Sequence, residues 1–250
     1  MHGYRPNSYG DAFADIYDDW YPHVPDVDRA VARLQKLAEG GAVLELGCGT
    51  GRLCLPLAQC GLEVHGIDAS EAMLARLQAK GNAASVQCHH ADMAAFELVN
   101  APRFSLAFCA FNTYFNLASA DAQSGCLASV AHHLAPAGRL VLECYVPGDA
   151  PQDPVDNVEV RDLTTDRVVL RISRQDPLAQ TVSGQHVELT NGGVRLRPWH
   201  LRYASPEEID ATAATHGFTL DQRWADWAGL AFGVEATNHV SVYRLGGPRG

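Results

Sequence analysis

The sequence predicts a doubly wound α/β fold carrying an antiparallel β insertion, and three observations predict it. Between residues 42 and 146, short apolar runs alternate with segments of helical periodicity. Those runs are continuously apolar rather than alternating, the mark of parallel strands covered by helices on both faces. From residue 156 to 203 the pattern switches to the period of two expected of antiparallel strands with one face in solvent. With 250 residues and 47% hydrophobic content, the chain can bury a full core in one globular unit.

The elements follow in order. "DAFADIYDDWY" (11–21) and "DVDRAVARLQKLA" (26–38) read as helices separated by Pro22 and Pro25. In the second, Asp26 is the expected N-cap and Ala30, Val31, Leu34, Leu37 and Ala38 form an apolar stripe. Strands are expected at 42–46, 62–67, 84–89, 104–110 and 139–146, and helices at 51–60, 70–79 and 119–134. In the insertion, "DNVEVRDL", "RVVLRIS", "QHVELT" and "GVRLRPWHLRY" are joined by turn signals such as "TTD" and "NGG", giving three or four antiparallel strands. Ser205, Pro206 and Glu208 spell a capping box with proline at the first helical position, opening a helix to about His216. Two last strands, near 218–226 and 236–244, complete the sheet. The expected organisation is one domain: a helical cap (1–39), a core (40–150), the antiparallel insertion as a lid (156–203), and a C-terminal helix with two strands (204–250).

A formal net charge of −10 offers no footprint for a phosphate backbone, so a nucleic-acid partner is disfavoured. No signal-like start and no apolar run near the 20 residues of a bilayer span is found, which leads to the expectation of a soluble, cytoplasmic protein with no membrane partner. The seven cysteines form no CxxC pair and sit mostly in apolar segments, so free buried thiols are expected, and no metal site.

The stretch most informative about function is "VLELGCGTGRL" (43–53). Its glycines, Gly47, Gly49 and Gly51, are spaced G-x-G-x-G, and position 52 is Arg, so the G-x-G-x-x-G of a dinucleotide loop is not met. The spacing suits a ligand without a pyrophosphate that presses on the loop backbone, and S-adenosylmethionine is such a ligand. Glu45 ends the first strand and suits the methionine ammonium, directly or through water. Asp68 ends the second strand in "VHGIDAS", where a carboxylate can accept both ribose hydroxyls. Asp92 follows the third strand in "HHADM" and suits the adenine amino group, with the Met93 backbone at the ring edge.

"VLELGCGTGRL", "VHGIDAS", "HHADMAAF" and "FSLAFCAFNTYFNL" resemble the successive motifs of class I S-adenosylmethionine-dependent methyltransferases, over about residues 40–146. "VAHHLAPAGRLVLECY" resembles that family's helix before strand five. The resemblance implies a Rossmann-like, seven-stranded, mostly parallel sheet of order 3-2-1-4-5-7-6 with strand seven antiparallel, and cofactor roles for Gly47, Gly49, Asp68 and Asp92. Cys48, Gly51, Arg52, Ala69, Met73 and Cys109 flank these motifs and complete the expected cofactor set, with S-adenosylhomocysteine as product. Ser105 stands where the family often has an acid after Phe104.

Ligands of open doubly wound sheets lie outside the carboxyl ends of the strands, so the acceptor is expected at the loop after strand four, "CAFNTYFNL". Phe111, Asn112, Tyr114, Phe115 and Asn116 would form an aromatic and amide wall for a small polar acceptor, with Tyr145 ending strand five. "YGDAFADIYDDWYPH" resembles the helix that covers the cofactor in small-molecule methyltransferases, implying Tyr9 or Tyr17 at the methionine end and Trp20 and Tyr21 in the acceptor pocket. Phe13, Ile16, Tyr17 and Trp20 at helical spacing are equally a docking face. The insertion would be a lid or homodimer surface offering His186, Trp199, His200, Arg202 and Tyr203, with Pro198 breaking the strand alternation. Asn112, Tyr17 and His200 are the expected catalytic contacts. His89 and His90 would line the adenine pocket. The overall plan resembles bacterial natural-product and amino-sugar N-methyltransferases, implying transfer to nitrogen or oxygen of a small molecule; the alternatives are a non-catalytic cofactor-binding scaffold or a protein or nucleic-acid methyltransferase.

Overall fold

The computed structural model describes residues 1–22, 26–81, 83–148 and 151–246. Its helices are α1 (Ser8–Phe13), α2 (Tyr17–Trp20), α3 (Val27–Ala38), α4 (Cys54–Gln59), α5 (Glu71–Gln78), α6 (Ala120–His133) and α7 (Pro206–Thr215). Its strands are β1 (Val43–Leu46), β2 (Val64–Asp68), β3 (Val86–His90), β4 (Phe104–Cys109), β5 (Leu134–Tyr145), β6 (Val155–Leu163), β7 (Arg167–Asp176), β8 (Thr181–Thr190), β9 (Gly193–Arg202), β10 (Phe218–Trp224) and β11 (Asn238–Leu245). Seven strands form one sheet in the order β3-β2-β1-β4-β5-β11-β10, with β11 antiparallel to both neighbours. With β10 and β11 as strands six and seven, this is the expected 3-2-1-4-5-7-6. The insertion is a separate four-stranded antiparallel meander, β6-β7-β8-β9.

All four residues of β1 are buried. Leu44 and Leu46 pack with Leu127 and Val130 of α6 and Ile209 of α7. Val43 faces the other way, into Leu34 of α3, Leu57 of α4 and Leu77 of α5. Helices on both faces explain why the strands read as unbroken apolar runs. The capping box forms as expected, Ser205 Oγ accepting from Glu208 N at 3.2 Å and Glu208 Oε2 from Ser205 N at 2.8 Å.

Several expectations change. The helix expected over 11–21 is two pieces, α1 and α2, with a break at residues 14–16 that lets the cap bend over the sheet. Asp26 stands at the N-cap position of α3, with φ +68°, but its carboxylate makes no capping bond and accepts instead from Arg29 Nη1 at 2.6 Å. The expected break partner Pro25 lies outside the described residues. Pro198 does not disturb β9, whose register against β8 runs unshifted from Gly193 to Arg202, so Trp199 pairs with Gly184 and His200 with Ser183.

Candidate functional site

A cleft opens at the carboxyl ends of β1, β2 and β4, where parallel sheets expose the loops that follow their strands. The loop after β1 forms one wall through Gly47 and Gly49. All three loop glycines have positive φ, +68°, +53° and +90°, for different reasons. A Cβ on Gly47 would stand 2.4 Å from Thr113 Cγ2, so the turn after β4 excludes it. A Cβ on Gly51 would stand 2.7 Å from Leu55 Cδ1, inside the protein. A Cβ on Gly49 would meet nothing within 4 Å, which is room a ligand can take.

Asp68 ties this loop to β2. Its Oδ2 accepts from Gly49 N at 2.9 Å and its Oδ1 from Ser70 N at 2.8 Å. Burial pushes its carboxyl above the ordinary range, against the two amide bonds that favour the charged form. Beside it, Ala69 and Met73 line the cleft, as do Asp92 and Met93 on the far side. Asp92 Oδ1 accepts from Ala94 N at 2.9 Å in a short turn.

The cap closes the opposite side with Tyr9, Gly10 and Tyr17. Gly10 sits within α1 because a Cβ there would be 2.3 Å from Ser70 Cβ. Asp11 Oδ1 accepts from Ser70 Oγ at 2.6 Å, and Asp18 Oδ1 from Thr50 Oγ1 at 2.6 Å, so both short helices are pinned to the loops of the cleft. Tyr9 stacks on Phe13 with centroids 4.5 Å apart and meets Tyr17 edge-on at 6.5 Å. Burial pushes the Tyr17 phenol up to about 12. The Arg52 guanidinium lies 5.1 Å from the Tyr17 ring, 5.9 Å from Tyr21 and 5.0 Å from Phe111, with Nη2 buried and unpartnered.

Other expected site residues lie elsewhere. Glu45 is turned beneath the loop, its Oε2 accepting from Cys54 N at 2.9 Å, and burial raises its carboxyl well above the usual range. It does not line the cleft. Cys48, Gly51 and Cys109 are buried packing residues. Tyr114 and Phe115 are 1% and 0% exposed, core residues rather than an acceptor wall, and Tyr114 donates to Gln123 O at 3.2 Å. Asn116 does line the cleft. Asn112 is tied up: Oδ1 accepts from Tyr145 N at 2.6 Å, while Phe111 and Asn112 both hold left-handed φ of +56° and +62°. The turn is bolted to β5, where Glu143 Oε2 accepts from Phe111 N at 2.7 Å. Asn112 therefore shapes the turn rather than presenting a free amide oxygen.

His200 meets Ser183 Oγ at 2.8 Å through Nδ1 and packs edge-on to Tyr4, outside the cleft lining. Arg202 is a tether, Nη1 donating to Gln123 Oε1 at 2.6 Å and Nη2 to Gln180 Oε1 at 2.7 Å. Tyr203 is a buried core residue. His89 pairs with His65 at 3.0 Å and His90 with Ala69 O at 3.0 Å, so neither reaches the cleft. Trp20 packs against Phe13 and His186, and Tyr21 edge-on to Phe111, forming an aromatic group beside the cap. Sequence reasoning missed Tyr4, Gly10 and Thr113, all of which line the cleft. A glycine inside an otherwise helical segment was the available signal for Gly10.

The glycine loop, two acidic strand ends and an aromatic cap define a cleft for an adenosyl ligand without a pyrophosphate, and known proteins agree. A family model described as a methyltransferase domain matches residues 43–138. The solved structure of the CcbJ methyltransferase from Streptomyces caelestis is 38% identical, covers 97% of this chain and 100% of its own, and superposes with a TM-score of 0.88. The cypemycin N-terminal methyltransferase of a Streptomyces species is 28% identical over 207 residues, 82% of this chain and 83% of that protein. CalS10, an amino pentose methyltransferase from Micromonospora echinaspora solved with S-adenosylmethionine bound, shares the fold at 22% identity and a TM-score of 0.68, covering 92% of this chain and 96% of its own. The chain belongs to the S-adenosylmethionine-dependent methyltransferases.

Proposed function

We propose that the chain methylates an amine nitrogen of a small polar molecule, with the acceptor entering the cleft beside the aromatic cap. The observation that carries this reading is the cleft bounded by Gly49 and Asp68 on one side and by Tyr9 and Tyr17 of the cap on the other. Relatives named for N-methylation of a peptide terminus and of an amino sugar favour nitrogen over oxygen.

In this reading Asp68 accepts the ribose hydroxyls, since each carboxylate oxygen has a lone pair beyond the one its amide partner uses. Asp92 accepts from the adenine amino group, and Ala69, Met73 and Met93 pack on the adenosine. Tyr9 and Tyr17 bound the methionine end, and Arg52, which does not line the cleft, packs against the Tyr17 ring. When bound, the cofactor supplies an electrophilic methyl on sulfur that is displaced in line. The chain's own contribution is orientation and exclusion of water, worth ~7–11 kcal/mol in well-aligned cases. Tyr17, held protonated, orients the acceptor by hydrogen bonding and does not serve as a base.

The same reading has a cytoplasmic enzyme that acts on free small molecules rather than nucleic acid, in keeping with the net charge of −10. It also has a homodimer, because the outer face of the insertion exposes Val158 and Val160 on β6, Ile172 on β7 and Val194 and Leu196 on β9. Incubation of the protein with isotope-labelled S-adenosylmethionine and a panel of amino sugars, amino acids and peptide N-termini, read by mass spectrometry, tests the function. Labelled N-methyl product supports it; product only on oxygen or carbon acceptors, or no binding of S-adenosylhomocysteine by calorimetry, overturns it.

A further inference from the structure

The glycine loop carries a cation that the cofactor cleft does not use. Gly51, at φ +90°, turns the chain after β1, and the Arg52 side chain that follows does not line the cleft. Its guanidinium instead lies over three aromatic rings from separate places in the chain: Tyr17 at the start of α2 (5.1 Å), Tyr21 just after α2 (5.9 Å) and Phe111 in the turn after β4 (5.0 Å). The rings also meet one another, Tyr17 and Tyr21 at 5.1 Å and Tyr21 edge-on to Phe111 at 5.8 Å.

The carboxylates that feel this charge are engaged elsewhere. Glu45 Oε2 accepts from Cys54 N, Glu143 Oε2 accepts from Phe111 N, and Asp18 accepts from Thr50 Oγ1 and pairs with Lys80 Nζ at 3.0 Å. Arg52 Nη2 is buried with no hydrogen-bond partner. The close company of the guanidinium is therefore aromatic, and cation–π attraction is what holds it there. A planar guanidinium can lie over several rings at once, which a compact, strongly hydrated ammonium cannot.

Tyr17 needs such support. α2 has four residues and no side-chain cap, too short to be stable by itself. Asp18 fastens it to Thr50 and Lys80, but the Tyr17 ring, which lines the cleft, meets Tyr9, Tyr21 and Arg52. Tyr9 and Tyr21 belong to the cap and move with it. Arg52 belongs to the loop after β1, so it is the member of the three that refers the ring to the main sheet.

We propose that Arg52 is a positioning residue: lying over the Tyr17 ring it fixes that ring at the methionine end of the cleft, and lying over Phe111 it ties the cap to the turn after β4. This rests on the methyltransferase reading of the cleft and adds to it a residue that acts through Tyr17 without touching the cofactor.

The test uses the whole protein and two probes that differ only at the methionine end: S-adenosylhomocysteine, and 5′-methylthioadenosine, in which a methyl group replaces the amino acid arm on sulfur. By calorimetry, Arg52→Gln should weaken S-adenosylhomocysteine binding at least threefold and leave 5′-methylthioadenosine within about twofold of wild type. Arg52→Lys, which keeps the charge without the planar face, should show the same selectivity with a smaller loss, so the role is readable even if the glutamine variant does not fold. In a Tyr17→Leu background the loss on Arg52→Gln should shrink to less than about twofold, since the residue acts through that ring. Equal loss of both probes, no loss of either, or the same loss in both backgrounds overturns the proposal. If wild type binds S-adenosylhomocysteine and the Arg52 variants bind it as well, the Arg52 role alone fails; if wild type binds neither probe, the reading beneath it fails too.

Discussion

Gly49 donates its backbone N–H to the carboxylate of Asp68 at 2.9 Å, joining the glycine loop after β1 to the acidic tip of β2. This wall of the cleft is thus one hydrogen-bonded unit, and a change in either residue is felt by both. Asp68→Ala should weaken S-adenosylhomocysteine binding at least tenfold, consistent with ~1.5–3 kcal/mol for bonds to a charged group. Asp68→Asn, which keeps one carbonyl acceptor, should lose less. Equal affinities for wild type and the alanine variant by calorimetry would refute the ribose role.

Gly47 meets its constraint from the turn after β4. Gly47→Ala combines a positive φ with a 2.4 Å approach to Thr113 Cγ2 and should destabilise the protein by about 1–3 kcal/mol. Thr113→Ser removes the offending methyl, so the double variant should recover part of that loss. Strict additivity in a double-mutant cycle would mean the two residues do not touch.

Gly10 holds α1 against the start of α5. Because a Cβ there would overlap Ser70 Cβ, Gly10→Val should lift the cap and weaken cofactor binding at least tenfold while changing the thermal midpoint only slightly. A variant with wild-type affinity would show that the cap can be displaced without cost to the site.

His186 and His239 are both pushed down to about 4, chiefly by burial and further by nearby arginines. In the unfolded chain each titrates near 6.5, so below that pH the unfolded state binds protons the folded state refuses. The stability tied to these rings is complete above pH 6.5 and is lost progressively as pH falls toward about 4. Urea midpoints should therefore drop between pH 7.5 and 5.0, and His186→Phe, set among Phe13, Trp20 and Trp199, should flatten that drop. The same slope in the variant would discount His186.

Much of this architecture was legible in the sequence because it depends on local signals: apolar runs, the capping box, the glycine spacing and the acids ending strands. Gly47, Gly49, Asp68, Ala69, Met73, Asp92 and Met93 all stand at the cleft. What the sequence hid depends on where side chains turn after long-range packing. Glu45 reads as a free strand-end acid but is consumed by the Cys54 amide. Asn112 and Arg202 read as acceptor contacts, yet their partners lie 33 and 79 residues away, on β5 and α6. Tyr114 and Phe115 follow a strand end and still bury, because the left-handed pair before them folds the turn back onto the core.

The cap is fastened on two sides. Asp11 holds it to Ser70 of the main sheet's helix, while Arg197 of the insertion grips Asp15 and the Ala12 carbonyl. The insertion is in turn anchored to α6 through Arg202 and Gln123. These links join the insertion, the cap and α6 into one connected set of side chains beside the ligand opening, so the contact from the inserted meander to α1 does not pass through the parallel core.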